Sequence, residues 1–255
     1  MKKISAVIVA HNEEGKIEEC LKSLNFADEI VVVLDKCSDK TKEIVQKYTN
    51  NIFEGSWNIE GKRRNIALNN ASGDWILEID ADERVSSDLA QEILSIRDSK
   101  PCQFSVLVDN YVGARLVKYG WLRSIAVLRR VTMFYNGYKI YHEDKEIHPT
   151  ADMKGEVKYL KNSLTHMMDG NISALVKRFD RNTTWRANDM MASGKKLEFG
   201  IFKEIISIKT RIFKSFIIKK GYKEGLLGLL IAILAALYPS VSRLKALEIK
   251  VGNKK

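Results

Sequence analysis

The sequence predicts an α/β fold with a mostly parallel central sheet, followed by a basic amphipathic helical region. Three observations carry this expectation. Uniformly apolar strand-like runs recur through the first hundred residues, helix-like segments separate them, and the excess of basic charge gathers in the last third of the chain. Strands that are apolar on both faces belong to parallel sheets covered by helices on both sides. At 255 residues the chain can bury a substantial core. A composition of 45% apolar and 29% charged residues with 3 prolines excludes a disordered or fibrous chain.

The elements follow in order. Ile4 to Val9 is a continuous β-rich run, and Asn12 to Leu24 reads as a helix with Ile17, Cys20, Leu21 and Leu24 on one face. Ile30 to Leu34 is a second buried strand, after which Ser38-Asp39 caps a helix reaching Tyr48. A short strand at Asn51 to Phe53 precedes Gly61 and a helix from Lys62 to Asn70. Trp75 to Ile79 is the next strand and runs directly into Asp80-Ala81-Asp82-Glu83, and Ser86-Ser87-Asp88 caps a helix to Ile96. From 101 to 160 the helical period fades, and Phe104 to Val108, Val127 to Phe134 and Glu156 to Leu160 predict an antiparallel extension.

From Ile172 onward the pattern is helical. Phe199, Phe202, Ile205, Ile206, Ile212, Phe213 and Phe216 recur at mostly three- and four-residue intervals among lysines, the pattern of a basic amphipathic helix. The longest apolar stretch, Gly225 to Tyr238, ends at Pro239 and is shorter than the roughly 20 residues of a spanning helix. It is expected to lie in an interface, re-enter, or pack in a protein core. The run Ala6 to Ala10 is too short for a signal-peptide core and reads as the first strand. Cys20, Cys37 and Cys102 lack paired spacing, so neither a disulfide framework nor a zinc site is expected and the cytosol is the default compartment.

Asp80-x-Asp82 at a strand terminus can turn two carboxylates into one space, which suits a hard divalent cation on a diphosphate. Alone it is a common loop sequence. Its company sharpens it: Ala10-His11-Asn12-Glu13 follows the first strand, Asp35 ends the second, and Gly61-Lys62-Arg63-Arg64-Asn65 opens a helix. Polar residues at the carboxyl ends of parallel strands mark the ligand crevice of such sheets. The first turn lacks the Gly-x-Gly-x-x-Gly of dinucleotide oxidoreductases.

With these pieces in order, residues 3 to 100 resemble the family 2 glycosyltransferases, which have the nucleotide-sugar-binding GT-A fold. Within that family the chain is similar to the bacterial β-1,4-glucosyltransferases of the lipopolysaccharide core, on Tyr141-His142-Glu143, His166 and the tail from Lys220-Gly221-Tyr222-Lys223-Glu224 to Leu229. It departs from the family at His11, where Tyr is usual, and at Lys36 to Lys40, which replace a more Gly- and Ser-rich turn.

The resemblance implies roles. Ala10, Asn12, Glu13 and Asp35 would hold the nucleoside, Lys62 would neutralise phosphate, and Asp80 and Ala81 would border the ribose and diphosphate. Asp82 would bind Mg²⁺ or Mn²⁺. Glu143, with Asp144 as second choice, would be the base that takes the acceptor hydroxyl's proton in an inverting transfer. His142 and His166 are expected to be structural, and Arg178, Arg181, Lys195 and Lys196 to lie on a solvated helix face or reach an anionic ligand. Trp185 either stacks on a sugar or packs in protein.

Residues 1 to 160 carry 23 basic and 25 acidic groups, residues 161 to 223 carry 14 and 5, and residues 224 to 255 carry 5 and 2. No nucleic-acid motif accompanies this charge. The expected domains are therefore 1–165, a GT-A catalytic domain with a donor half 1–100 and an acceptor half 101–165, and 166–255, a tail that meets an anionic membrane surface through 199–238 or self-associates into a homo-oligomer. The expected enzyme is metal-dependent and moves a hexose from a nucleotide-sugar donor, UDP-glucose or similar, to a hydroxyl of a lipopolysaccharide or other envelope glycan at the cytoplasmic face of the membrane. The competing readings are transfer to a polyprenyl phosphate and a basic membrane-bound scaffold with a degenerate nucleotide pocket.

Overall fold

A computed structural model describes residues 1–122, 124–144, 149–194, 197 and 200–252. They form two compact units, 1–109 with 129–167 and 110–128 with 168–255. The linear division expected at residue 165 differs from these units: the first runs to 167, and segment 110–128 belongs with the C-terminal helices, because Val117, Trp121, Ile125 and Ala126 pack into their core.

The first unit is built on a mixed sheet. Strands β1 (Ile4–Ala10), β2 (Glu29–Asp35), β3 (Ile52–Gly55) and β4 (Trp75–Asp80) are parallel, in the order β3-β2-β1-β4. The sheet continues through β8 (Arg129–Tyr135), β6 (Gln103–Val112), β11 (Val157–Asp169) and β5 (Glu83–Val85), with β8 antiparallel to both β4 and β6 and β5 antiparallel to β11. A short β7 (Arg115–Leu116) pairs with the end of β6 in the second unit, and β9 (Lys139–Tyr141) pairs with β10 (Ala151–Met153) as a separate hairpin.

Burial on both faces explains why β1 is apolar but for Ser5. Ile4, Ala6 and Ile8 pack with residues of α1 (Ile17–Lys22), α2 (Thr41–Val45) and α4 (Ser87–Ile96), whereas Val7 faces Ala67 and Leu68 of α3 (Glu60–Asn69). Both faces are thus covered. The helix expected over 12–24 is shorter because Asn12 adopts φ +54° and the chain loops before Ile17.

In the second unit, α5 (Ile172–Ala192) is capped by Asn171, whose Oδ1 accepts from Ala174 N at 2.8 Å. The helix expected from Phe199 begins, among the described residues, as α6 (Ile201–Phe213) and passes through a wide π-type turn at 214–218. The apolar run does not stop at Pro239. The proline lies inside a single helix α7 (Gly225–Gly252), so 221–252 is long and apolar enough to cross a membrane by length and composition. Ile231, Ala235 and Tyr238 of α7 are nevertheless buried with Leu175, Val117 and Trp121 in the unit's core. Gly228 has no alternative here, because a Cβ would lie 1.9 Å from the Gly221 carbonyl oxygen.

Candidate active site

In the order β3-β2-β1-β4 the chain leaves β1 toward β2 and later returns to β1's other side as β4. The topological switch point therefore lies between β1 and β4, where the carboxyl ends of parallel strands open a ligand crevice. Ala10, Asp35 and Asp80 end β1, β2 and β4 at this edge. Lys16, after β1, reaches across to Asp82, after β4, at 3.6 Å.

The loops after β1 and β2 hold each other. Asn12 Oδ1 accepts from Ser38 N at 2.8 Å, Glu13 N donates to Thr41 Oγ1 at 2.8 Å, and Lys40 N donates to Glu14 Oε2 at 3.0 Å. His11 donates from Nδ1 to the Asp35 carbonyl at 2.6 Å. A carbonyl can only accept, so Nδ1 carries the proton. Asp35 itself is buried at 2% exposure, accepts from Trp57 N at 2.9 Å and is ion-paired with Arg63.

Three consecutive residues of α3 join three elements. Arg63 holds Asp35 at the end of β2. Arg64 contacts Glu78 at 2.8 Å and Asp80 at 3.6 Å on β4. Asn65 clamps Tyr141 of β9, donating to its carbonyl and accepting from its N–H, both at 2.9 Å, and its Nδ2 also donates to Glu143 Oε1 at 3.0 Å. Gly61 permits this approach, since a Cβ there would sit 2.2 Å from the His142 carbonyl oxygen. Lys62 stands exposed on the same turn.

The aspartates are bracketed by cations. Asp80 lies 3.5 Å from Arg130 of β8 as well as 3.6 Å from Arg64. Asp82 Oδ2 is 3.5 Å from His166 Nε2, because β5 pairs with β11 in a register that places Glu83 opposite His166. Burial works against the charge of Asp82, but the hydrogen bond and charge of His166 and the charge of Lys16 outweigh it and hold the carboxyl below its ordinary range. His166 is correspondingly raised: burial opposes its charge, and Asp82 overrides burial. Glu83, buried and ion-paired with Arg130, is pushed by burial up to about 7. Beneath Asp80, Glu78 is buried with Lys139 at 2.5 Å and the Tyr141 hydroxyl at 2.6 Å. Burial would raise it, but Lys139, Arg64 and Arg130 hold it well below the carboxylate range.

Among the described residues no three or more His, Cys, Asp or Glu side chains come together as a metal cluster. Asp82 and His166 still fit a divalent cation bound jointly with a substrate. Two ligands at the roughly 2.1 Å bonds of Mg²⁺ lie about 3 Å apart on adjacent octahedral corners, and Asp82 Oδ2 and His166 Nε2 are separated by 3.5 Å. Diphosphate oxygens and water complete such shells.

His142 is structural, 3.0 Å from Thr150 Oγ1 and 3.0 Å from Asp152. Asp144 is exposed, and Ala81 is buried with its carbonyl accepting from Arg84 at 3.1 Å. Arg178 belongs to the second unit's interior, donating from Nε to both Asp169 oxygens at 3.0 Å and from Nη1 to Ile125 O at 2.9 Å, so it is on no solvated face. Arg181 covers the ring of Trp185 at 4.9 Å, and Lys195 and Lys196 lie outside the described residues. The residues that sequence reasoning passed over are Lys16, Arg63, Arg64, Arg130 and Lys139. Arg63 and Arg64 lie within the Gly61-to-Asn65 motif, but only the fold shows which carboxylates they meet.

The model of glycosyl transferase family 2 matches residues 5–151, more than half of the chain and the whole crevice edge. The chain belongs to glycosyltransferase family 2. This family 2 glycosyltransferase is 26% identical over 272 residues to an uncharacterized glycosyltransferase of Rickettsia prowazekii, covering 99% of this chain and 90% of that one. It is 25% identical over 254 residues to LpsC, a lipopolysaccharide core biosynthesis glycosyltransferase of Rhizobium meliloti, covering 95% and 91%. Among solved structures, residues 1–349 of Staphylococcus aureus TarS align over 96% of this chain and 88% of theirs at 18% identity, with a TM-score of 0.49. The mixed sheet and its switch-point crevice are those of the GT-A fold expected from the sequence.

Proposed function

We propose that this glycosyltransferase is an inverting hexosyltransferase that moves a sugar from a nucleotide diphosphate to a hydroxyl of a lipopolysaccharide core or related envelope glycan. The observation that carries the reading is the Asp82–His166 pair at 3.5 Å, set across the switch point from Lys16 and beside the Arg64–Asp80–Arg130 cluster. Carboxylates and cations are interleaved there as a sugar diphosphate and a divalent cation need them. The acceptor class follows the name of LpsC, a relative in lipopolysaccharide core biosynthesis.

In this reading Ala10, Asn12, Glu13 and Asp35 border the nucleoside. The donor in this reading is a UDP-sugar such as UDP-glucose, with Asp35, held in place by the Trp57 N–H and Arg63, at the base end of the site. Lys62, Arg64 and Arg130 draw the diphosphate, and Asp80 and Ala81 line its ribose side. Asp82 and His166 hold Mg²⁺ or Mn²⁺, which when bound stabilises the negative charge of the departing diphosphate. Glu143, steadied by Asn65, accepts the proton of the acceptor hydroxyl as its oxygen bonds to the anomeric carbon. The bond from that carbon to the diphosphate breaks on the opposite side, the nucleoside diphosphate leaves, and the anomeric configuration inverts. An enzyme with a cytosolic donor and an envelope acceptor works at the cytoplasmic face of the membrane.

The test is transfer from UDP-glucose to de-O-acylated core oligosaccharide with Mn²⁺, with the product anomer read by NMR. A β-linked product that Glu143→Gln fails to make, while still binding donor, supports the reading. Undiminished turnover by Glu143→Gln removes the base and favours an acceptor that is already anionic, such as a polyprenyl phosphate.

A further inference from the structure

We propose that the second unit docks on an anionic phospholipid bilayer through an apolar ridge on α6 and the turns after it, with lipid phosphate received by a lysine-lined cavity at the ridge's end. A water-exposed helix ordinarily turns its apolar stripe inward. Helix α6 has no buried residue: Phe202, Ile206 and Phe213 are 78%, 63% and 56% exposed, and Ile217, Ile218 and Leu226 continue the ridge into the start of α7. Contiguous exposed apolar surface of this kind marks an interaction site.

The surroundings select the partner. Lys203, Lys209, Lys214, Lys219 and Lys220 flank the ridge, all exposed, within a segment of 14 basic and 5 acidic residues from 161 to 223. Lysines beside aromatic and aliphatic side chains match an anionic headgroup layer over hydrocarbon. A cavity of about 220 Å³ opens where the ridge meets segment 118–121, lined by Lys118, Tyr119, Trp121, Ile218, Lys219 and Lys220. Its walls are fixed. Gly120 N donates to Lys219 O at 2.9 Å, Ser215 Oγ donates to Gly120 O at 2.5 Å, and the buried Glu224 accepts from Lys118 N at 2.9 Å and Tyr119 N at 3.1 Å. Three lysines lining a small cavity suit a phosphate. Ile218 belongs to both ridge and cavity, so one lipid can fill the cavity while its chains lie along the ridge. The buried residues of α7 remain in the unit's core, so the unit rests on the bilayer without threading it.

The test needs no sugar and is independent of the donor-site reading. Purified full-length protein is mixed with vesicles of phosphatidylglycerol and phosphatidylcholine, or phosphatidylcholine alone, and sedimented. Binding is expected to the anionic vesicles only and to fall away near 1 M salt, where the screening length is about 3 Å. Phe202→Glu with Phe213→Glu should weaken binding on the order of a hundred-fold, and Lys219→Gln with Lys220→Gln about thirty-fold, at roughly five-fold per lysine. Both pairs replace exposed side chains and should leave the melting curve unchanged; if the first pair misfolds, the lysine pair decides. Wild-type protein that ignores anionic vesicles, binding that resists salt, or variants that bind as well as wild type would overturn the proposal. So would a wild-type dimer that the glutamate pair makes monomeric without altering vesicle binding, since the ridge would then cover a second copy.

Discussion

Replacing Lys139 with methionine leaves a carboxylate buried beside the candidate donor site. The Glu78 side chain is 5% exposed and that of Lys139 8%. Glu78 Oε1 receives Arg64 at 2.8 Å and the Tyr141 hydroxyl at 2.6 Å, while Oε2 receives Lys139 at 2.5 Å. The Lys139 ammonium also lies 4.4 Å from the centre of the Tyr141 ring. Removing one partner of a buried pair costs about 3–5 kcal/mol. Because Arg64 stays in place, Lys139→Met is expected at the lower end, about 3 kcal/mol, or about 6–12 °C in melting temperature for a chain of this size. Circular dichroism melts of the wild type, Lys139→Met, Glu78→Gln and the double variant form the cycle, and the double variant should regain at least half of the loss, since no buried charge is then unpaired. The pH dependence has a fixed sign. Glu78 is held below its ordinary value, so its contribution is complete above that value and is lost as pH falls toward the lowered one. The gap between wild type and Lys139→Met should therefore narrow in acid. A Lys139→Met loss below about 1 kcal/mol, or a double variant no better than the sum of the singles, would refute the paired-cluster reasoning.

Asp82→Ala should abolish transfer and remove the stabilisation that Mn²⁺ adds to donor binding, read by titration calorimetry with and without metal. Asn65→Ala removes three side-chain hydrogen bonds, two to Tyr141 and one to Glu143. It should lower kcat by about ten-fold or more while donor affinity changes little, because the proposed base Glu143 is loosened but the proposed nucleotide edge is untouched. Gly228→Ala should destabilise the second unit by more than about 3 kcal/mol, since the added carbon meets backbone and not a flexible side chain. A hydrogen-exchange map with α7 as protected as in wild type would contradict it.

The parallel half of the sheet was legible because both faces of β1, β2 and β4 are buried and their sequences are mainly apolar, with Ser5 and Glu78 the polar residues inside them. Asp35, Asp80 and Asp82 were legible for the same reason, as the polar residues where apolar strands stop. The cations were not. Arg130 lies on an antiparallel strand 50 residues beyond Asp80, and His166 meets Asp82 only through the β5–β11 register, so no local spacing announces either. Helix α7 packs in the core, one of the three expected outcomes, but runs past the proline that reads as its terminator. In the fold Tyr238 and Ser242 are buried on either side of it, and tertiary packing carries the helix to Gly252. Segment 110–128 was assigned by its place in the sequence, whereas its apolar residues belong to the core formed by α5 and α7.

The most direct measurement is a thermal-shift panel of UDP-, GDP-, dTDP- and ADP-sugars, each with and without Mn²⁺, on wild type and Asp82→Ala. Ligands that bind the native state raise its melting temperature in proportion to their affinity. A UDP-sugar that stabilises the wild type with Mn²⁺, but not Asp82→Ala, is the expected result; a wild type that no nucleotide sugar stabilises, with or without metal, would contradict a donor site at the β1–β4 switch point.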